Sequence, residues 1–417
     1  SIAKTSVMRL PTIGLDKLQE LNAFSTPYLV RFPASDQLPS LHKALLTYPF
    51  HCCALKSDYG FGQIYRNEES SDAEGLVDCN ADDDVTSVRI VPSIPSSNTL
   101  ESVDSFPETP VMHNASIHCS PVPDLFNPCE DLLGSPGIVA VSWSVACLAV
   151  VGNFFVIFML LAVACDRTRA QQRHLSVPKF LILNLAIGDF FMGIYLFILT
   201  AMDSRSSGSY YKFGVEWQSG GGCDVAGFIS IFASQLSVFT LSVISLERWY
   251  AIRYAIQLDK RMTLRCGRIV MSVGWLVAIM LAALPLMNVN SYRKTAICLP
   301  MDVQDLPGKV YVAALLSIDI CAFVLVVGSL ISLFFSPYSS EGCYGVMDRR
   351  KTDARVAKRM AVLVFTDFAC FFPICFFSLF ALAGLPLLSM STAKVLLITC
   401  FPFNACCNPF LYAILTK

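Results

Sequence analysis

Long apolar runs dominate the chain from about residue 137 onward, whereas residues 1 to about 136 are polar and rich in Pro, Ser and Asp. A helix needs roughly 20 apolar residues to cross a bilayer. Seven windows reach that length, at about 137–163, 178–202, 223–250, 268–288, 309–335, 357–383 and 393–415. Because lipid offers no hydrogen bonds, each window is predicted to be a helix. Buried helices of a large soluble protein are the alternative, but these runs exceed the ordinary helix length of about 11–12 residues.

Positive charge is uneven between the connections. The first, third and fifth connections hold most of it, and the positive-inside rule assigns them to the cytoplasm. Their basic residues are Arg167, Arg169, Arg173, Arg253, Lys260, Arg261, Arg265, Arg349, Arg350, Lys351 and Arg355. The pattern therefore predicts an extracellular N-terminus and an intracellular C-terminus.

Composition narrows the class of protein. Charged residues make up 15% of the chain and hydrophobic residues 54%, while soluble domains carry about 25% charge. The formal net charge of −1 gives no polyanion-binding surface, so no nucleic-acid partner is expected. The sequence has 5 His and neither a metal-spaced His cluster nor a nucleophile motif, so an enzyme is not expected.

Cysteine placement agrees with the predicted orientation. Cys223 opens the third span and Cys298 lies in the fourth connection, both on the extracellular side, where disulfides persist. A Cys223–Cys298 bridge would hold that loop over the helices. Asn114 begins an Asn-Ala-Ser glycosylation sequon.

Polar residues inside apolar spans are costly and mark function. Asp189 and Asp367 lie well inside the second and sixth spans, while Asn404 and Asn408 share one face of the seventh. Three interpretations stay open from these residues alone: a static polar network, a transporter that binds a cation or relays protons, and a helix switch. Pro373 and Pro409 interrupt two of the helices near these groups, as expected where helices pivot.

The order of short motifs resembles the rhodopsin-like G-protein-coupled receptors. The matching residues are Gly152-Asn153, Asn184-Leu185-Ala186, Asp189, Cys223, Glu247-Arg248-Trp249, Trp275, Pro373 and Asn408-Pro409-Phe410-Leu411-Tyr412.

A narrower resemblance, to the leucine-rich-repeat receptors for glycoprotein hormones, covers nearly the whole chain. The stretches that carry it include Tyr48 through Ala54, Phe126 through Asp131, Glu216-Trp217-Gln218, Ile297 through Asp302, Ala357 through Leu363 and Phe365 through Phe368. The resemblance implies a mainly α fold: a seven-transmembrane helix bundle with an N-terminal extracellular hinge and the end of a leucine-rich-repeat domain. The expected domains are residues 1–50 for the repeat end, 51–136 for the hinge and 137–417 for the membrane domain.

The resemblance also implies a function. We expect a multi-pass plasma-membrane receptor that contacts membrane lipid, takes an extracellular glycoprotein hormone of cystine-knot type, and activates a heterotrimeric G protein. Gs, with cAMP signalling through adenylyl cyclase, is the family expectation. A hormone-binding decoy that does not signal and a polytopic transporter remain the alternatives.

By the same resemblance, the segment Phe126-Asn127-Pro128-Cys129-Glu130-Asp131, extending to Gly134, is expected to act as an internal agonist against the helices. Glu130 and Asp131 are its expected acidic contacts, with Lys394 as the candidate partner. Disulfides Cys52–Cys119 and Cys53–Cys129 are expected to join the repeat end to this segment.

The resemblance further implies an activation switch. Asp367 is expected to face Asn404 and Asn408, and Asp189 to join Asn153 and Asn408. Arg248 is expected to pair with Glu247 and Asp353 at the cytoplasmic end, with Pro409 and Tyr412 completing the set. Asp189, Ser237 and Asn408 match positions that hold Na⁺ as an allosteric ion; no other cofactor is expected.

Some residues depart from the family pattern. Gln235 stands where the family usually has an acidic residue in the third helix. A familiar tyrosine of the fifth helix is replaced at about Leu330, which bears on G-protein activation. Cys79 has no assigned partner in the outer segment.

Overall fold

The computed structural model describes residues 1–11, 13–29, 31–33, 37–56, 117–165, 176–253, 262–335 and 365–415. The chain forms two compact units, one of residues 1–47 with 52–121 and one of residues 48–51 with 122–417. The predicted division into three domains stays a prediction.

A small parallel sheet organises the first unit. Its strands are β1 (Glu20–Asn22), β2 (Lys43–Leu45) and β3 (His118–Ser120), in the order β1-β2-β3. Glu20 of β1 pairs with Lys43 of β2, an interval of 43 − 20 = 23 residues, which lies within the period of leucine-rich repeats of about 20–29. The repeat assignment itself stays a prediction.

Leucines from successive strands and turns fill the core of this unit. They are joined there by a disulfide between Cys52 and Cys119, both buried. The buried leucines are Leu15, Leu21, Leu29, Leu38, Leu41, Leu46 and Leu55.

Among its described residues, the second unit has seven helices long and apolar enough to cross a membrane, as predicted. The first five are Pro136–Cys165, Val177–Ser206, Gly221–Arg253, Leu264–Ala283 and Leu306–Phe335. The sixth is described from Phe365 to Leu382. The seventh consists of Met390–Val395, a π-helical turn Leu396–Cys400 and Phe401–Leu415. Below, these are called the first to seventh membrane helices.

Burial distinguishes the helices by position. In the third helix 78% of the apolar window is buried inside the protein, against 22% in the first helix. The first helix instead exposes large side chains such as Phe154, Phe155 and Phe158. A helix that is apolar all round is typical of a lipid-facing span, and the buried third helix forms the centre of the bundle.

Short elements cover the extracellular end. They are the start of the hinge helix Pro49–Lys56, the loop helix Tyr211–Ser219 and the 3₁₀ turns Leu284–Met287 and Tyr292–Lys294. Two glycines make room for close contacts. A Cβ on Gly227 would lie 2.2 Å from the Tyr292 ring, and a Cβ on Gly152 would lie 2.9 Å from Pro409.

Candidate functional site

The loop before the fifth helix is held tightly at the extracellular end of the bundle. Cys298 forms a disulfide with Cys223 of the third helix. Next to it, Tyr195 of the second helix donates a hydrogen bond to the Ile297 carbonyl at 2.8 Å, and Trp217 Nε1 donates to the Ala296 carbonyl at 2.9 Å. Residues 296–298 therefore form a rigid platform.

An ion pair adds to this platform. Arg293 Nε donates to Asp224 Oδ1 at 3.1 Å, and this hydrogen bond raises the pKa of the Arg293 guanidinium. Burial raises the pKa of the Tyr292 and Tyr210 phenols well above their usual range. Both tyrosines therefore stay neutral and serve as packing groups at neutral pH.

The junction segment, residues Phe126–Gly134, lies against this platform through its backbone. The Phe126 carbonyl accepts a hydrogen bond from Ala296 N at 2.8 Å. The Cys129 and Glu130 carbonyls accept from Tyr211 N at 2.9 Å and Tyr210 N at 3.0 Å, at the start of the loop helix. The first half of the segment, residues 126–130, is thus hydrogen-bonded to two different loops.

Carboxylates complete the attachment of the junction segment. Asp131 Oδ1 accepts from Gly208 N at 2.8 Å and Ser207 Oγ at 3.0 Å. Asp203, in the last turn of the second helix, accepts from Leu133 N at 2.8 Å and is buried. The second membrane helix therefore contacts the segment directly.

Lys394 is buried at the extracellular end of the seventh helix. The carboxylates near its ammonium are those of Asp203, Asp124 and Asp131. The side chain of Glu130 is exposed, its carbonyl accepts from Tyr210 N, and its expected pairing with Lys394 stays a prediction. Asp203 is a further carboxylate near Lys394 that the sequence analysis did not name.

The start of the hinge helix also belongs to the second unit. Phe50 is 1% exposed and packs edge-on against Tyr210, with ring centroids 5.5 Å apart. A Cβ on Gly214 of the loop helix would lie 3.0 Å from the Phe50 ring. Phe50 therefore fills a close-fitting apolar site beside the junction segment.

In the membrane interior, Asp189 joins the second, third and seventh helices. Its Oδ1 accepts from Ser237 Oγ at 3.2 Å and its Oδ2 accepts from Asn408 Nδ2 at 2.7 Å. Asn153, expected to join Asp189, instead donates to the Ala405 carbonyl at 2.8 Å. The backbone of the seventh helix comes within reach of Asn153 because Gly152 lets Pro409 approach closely.

Asp367 is 1% exposed in the sixth helix. The amides of Asn408 and Asn404 act on its carboxylate, although neither oxygen has a well-formed hydrogen bond to a described residue. Tyr412 of the seventh helix is also buried. Asp189, Asp367 and the seventh-helix residues expected in the switch thus all lie in the buried interior of the membrane domain.

The expected sodium site at Asp189, Ser237 and Asn408 stays a prediction. The Asp189 oxygens accept from Ser237 Oγ and Asn408 Nδ2, and each carboxylate oxygen keeps a second lone pair. Among the described residues, no three His, Cys, Asp or Glu side chains are grouped so that they would hold a metal ion.

At the cytoplasmic end, Arg248 is 9% exposed and its Nε lies 2.6 Å from Glu247 Oε2. Its other expected partner, Asp353, lies outside the described residues, as does the sequon residue Asn114. Cys53 and Cys129 are each disulfide-bonded, and their expected pairing with one another stays a prediction.

Two hydrogen-bonded carboxylates, Asp203 and Asp319, were not named by the sequence analysis. Asp203 directly follows the second apolar window. Asp319 is a single acidic residue inside the fifth apolar window. Gln235 Nε2 donates to Asp319 Oδ1 at 3.0 Å. A charged residue in an apolar run is a signal that could have identified Asp319.

Comparison with known proteins agrees with this architecture. The family model "7 transmembrane receptor (rhodopsin family)" matches residues 152–412. The lutropin-choriogonadotropic hormone receptors of Homo sapiens and Sus scrofa are 39% identical over the whole chain, which covers 57% and 58% of those proteins. The follicle-stimulating hormone receptor of Cairina moschata is 37% identical, with the whole chain covering 59% of it. The chain therefore spans a little under three fifths of these relatives.

A solved structure agrees on the fold. Squid rhodopsin matches with a TM-score of 0.52 at 18% identity, over 67% of this chain and 81% of that one. Seven membrane-length helices and these relatives identify a multi-pass protein of the plasma membrane. Because the family model covers well over half of the chain, this protein belongs to the rhodopsin family of seven-transmembrane receptors, which are not enzymes.

Proposed function

We propose that the chain is the hinge and membrane part of a glycoprotein hormone receptor that activates a heterotrimeric G protein, with Gs as the expected subtype. The observation that carries the proposal is the junction segment, which is bonded to the loop helix, to the loop of Cys298 and to the second membrane helix at once. The full-length identity to lutropin and follicle-stimulating hormone receptors supports the ligand class.

In the proposed mechanism, hormone binding displaces the hinge and the junction segment moves with it. Asp203 and Asp131 then change their distance from Lys394, which lies at the top of the seventh helix. Charge pairs in a desolvated junction of this kind bias two states by about 1–3 kcal/mol. Movement of the segment is thereby transmitted to the helix that carries the inner polar residues.

The inner residues hold the resting state. Asp189 joins three helices through Ser237 and Asn408, while Asp367 faces the same asparagine from the sixth helix. A buried polar group of this kind contributes modestly to stability but selects which state is populated. When the seventh helix shifts, Asp367 loses its amide neighbours and the sixth helix moves outward, which opens a groove for the G protein. No step requires a sodium ion.

The test is a cAMP measurement in cells that express the full-length receptor and receive candidate cystine-knot heterodimers one at a time. A dose-dependent rise in cAMP with one heterodimer, absent in untransfected cells, is the expected result. Hormone binding without a cAMP rise would favour the decoy. The atypical end of the fifth helix is the reason for considering that alternative. Substrate flux without hormone binding would favour a transporter.

A further inference from the structure

A second polar cluster lies in the membrane, apart from the Asp189 and Asp367 groups. We call it the Asp319 cluster, and it consists of Gln235, Asp319 and Cys375. Gln235 of the third helix donates to Asp319 Oδ1 at 3.0 Å, and Cys375 Sγ of the sixth helix lies 3.9 Å from Asp319 Oδ2 in donor geometry. Asp319 follows the first residue of the fifth helix by 13 positions, about 20 Å along its axis. The cluster therefore lies near the middle of the membrane.

The surroundings leave Asp319 no other polar partner among the described residues. No described Lys, Arg or His forms an ion pair with it. Cys375 is 4% exposed and belongs to an apolar cluster from the third, fifth and sixth helices, whose other buried members are Val238, Leu316, Phe323 and Phe371. In such a setting a carboxylate depends on the few donors that reach it.

We propose that Asp319 is a positioning residue that ties the sixth helix to the third and fifth helices and so holds the resting state. The tie is separate from the contacts of Asp367, because it acts on the other side of Pro373 and uses different partners. Its effect on signalling rests on the proposed function, whereas its effect on the position of the sixth helix does not.

The chemistry of the pair permits a charge-exchange test. Gln235→Glu places a second carboxylate against Asp319, so the two repel and the cluster opens. Adding Asp319→Asn to Gln235→Glu restores one amide donor and one carboxylate with the roles reversed. A residue with a merely structural role would show no such rescue, since each single change would simply add to the other.

The first readout is hormone-independent cAMP, normalised to surface receptor. Gln235→Glu is expected to raise it about fivefold, and the double variant to return it to within about twofold of the parent. Asp305→Asn, which removes an exposed carboxylate just before the same helix, is the matched control and is expected to leave cAMP unchanged. Equal cAMP in the Gln235→Glu and double variants would overturn the proposal. If Gln235→Glu fails to reach the cell surface, the amount of surface receptor becomes the readout. Recovery of surface receptor in the double variant would then support the proposal, and no recovery would overturn it.

The second readout does not depend on signalling. In membranes containing the full-length receptor, the rate of Cys375 alkylation by N-ethylmaleimide is followed by peptide mass spectrometry. Gln235→Glu is expected to raise this rate severalfold and the double variant to restore it, while alkylation of the exposed Cys147 stays constant. An unchanged rate of Cys375 alkylation in Gln235→Glu would show that Asp319 does not position the sixth helix. If the double variant restores the alkylation rate but the receptor gives no cAMP, the positioning role of Asp319 stands and the proposed function is rejected.

Discussion

Asp367 is a buried carboxylate without a well-formed hydrogen bond to a described residue. Asn408 and Asn404 face it from the seventh helix, and it is buried at 1% exposure. Burying a carboxylate without good hydrogen bonds is costly, so its environment depends on the few polar neighbours that the seventh helix supplies. In the proposed mechanism, the resting state is therefore expected to be sensitive to substitution of Asp367.

Asp367→Gly is expected to raise hormone-independent cAMP by about fivefold or more, because it removes the contact between the sixth and seventh helices that favours the resting state. Ser317→Gly is the control, since it introduces the same backbone freedom at an exposed position of the fifth helix. Basal cAMP equal to that of the control, at equal surface expression, would contradict the assignment.

Arg248→Ala is expected to abolish hormone-stimulated cAMP and to leave hormone affinity unchanged. Arg248 is buried at the cytoplasmic end, beside Glu247, where the groove for a G protein would open. Radioligand binding and cAMP are measured on the same cells. Arg253→Ala, an exposed arginine in the last turn of the same helix, should keep both activities, and retained signalling in Arg248→Ala would reject its role.

At the scale of elements, the junction segment is held by many backbone hydrogen bonds and a few carboxylates. Sequence resemblance located this segment, and the structure brings it to the loop helix and the platform of residues 296–298. The resemblance did not identify Asp203. The orientation of a carboxylate depends on where the loops fold back, and Asp203 of the second helix accepts from Leu133 N of the segment, while the side chain of Glu130, within the segment, is exposed.

Asp203→Asn is expected to lower the maximal hormone-stimulated cAMP about fivefold, because it weakens both the acceptor for Leu133 N and the charge facing Lys394. Hormone binding should be unaffected, since Asp203 is buried beneath the loops. Glu130→Gln is the matched control, with an exposed side chain and no expected change. A normal response in Asp203→Asn, or an equal loss in Glu130→Gln, would oppose this assignment.

Helix packing gives another expectation. Gly227→Ala should destabilise the receptor by about 1–3 kcal/mol, as overpacking of a tight contact does, because the new Cβ would lie 2.2 Å from the Tyr292 ring and 2.6 Å from the Cys298 carbonyl. Gly328→Ala has nothing within 4 Å of its Cβ and should be neutral. Thermal unfolding of the purified receptors compares the two, and equal midpoints would show that the contact relaxes freely.

At the scale of the whole molecule, hydropathy alone predicted the seven membrane helices, because a bilayer imposes length and apolarity on every span. It could not predict which polar side chains meet. Asn153 reaches the Ala405 carbonyl and Asp319 reaches Gln235 only because of how the helices pack, and no local pattern encodes that packing. The resemblance supplied Asn408 as a partner of Asp189, whereas the partners of Asn153 and Asp319 came from the structure.

The Cys223–Cys298 disulfide joins residues 75 positions apart and holds the platform over the bundle. Cys223→Ser with Cys298→Ser is expected to cost about 2–4 kcal/mol of stability, with a large loss of surface receptor. Cys147→Ser removes an exposed free thiol and serves as the control. Flow cytometry of intact cells measures both, and normal surface levels in the double variant would show that other contacts suffice.

The π-helical turn at Leu396–Cys400 has a practical consequence for engineering. A π turn holds one more residue than an α turn, so the angular positions of side chains above it are out of step with those below. Lys394 lies before the turn and Asn404 after it. Spin labels or cysteine cross-links on the seventh helix should therefore be placed with one helical wheel for residues 390–395 and another for residues 401–415.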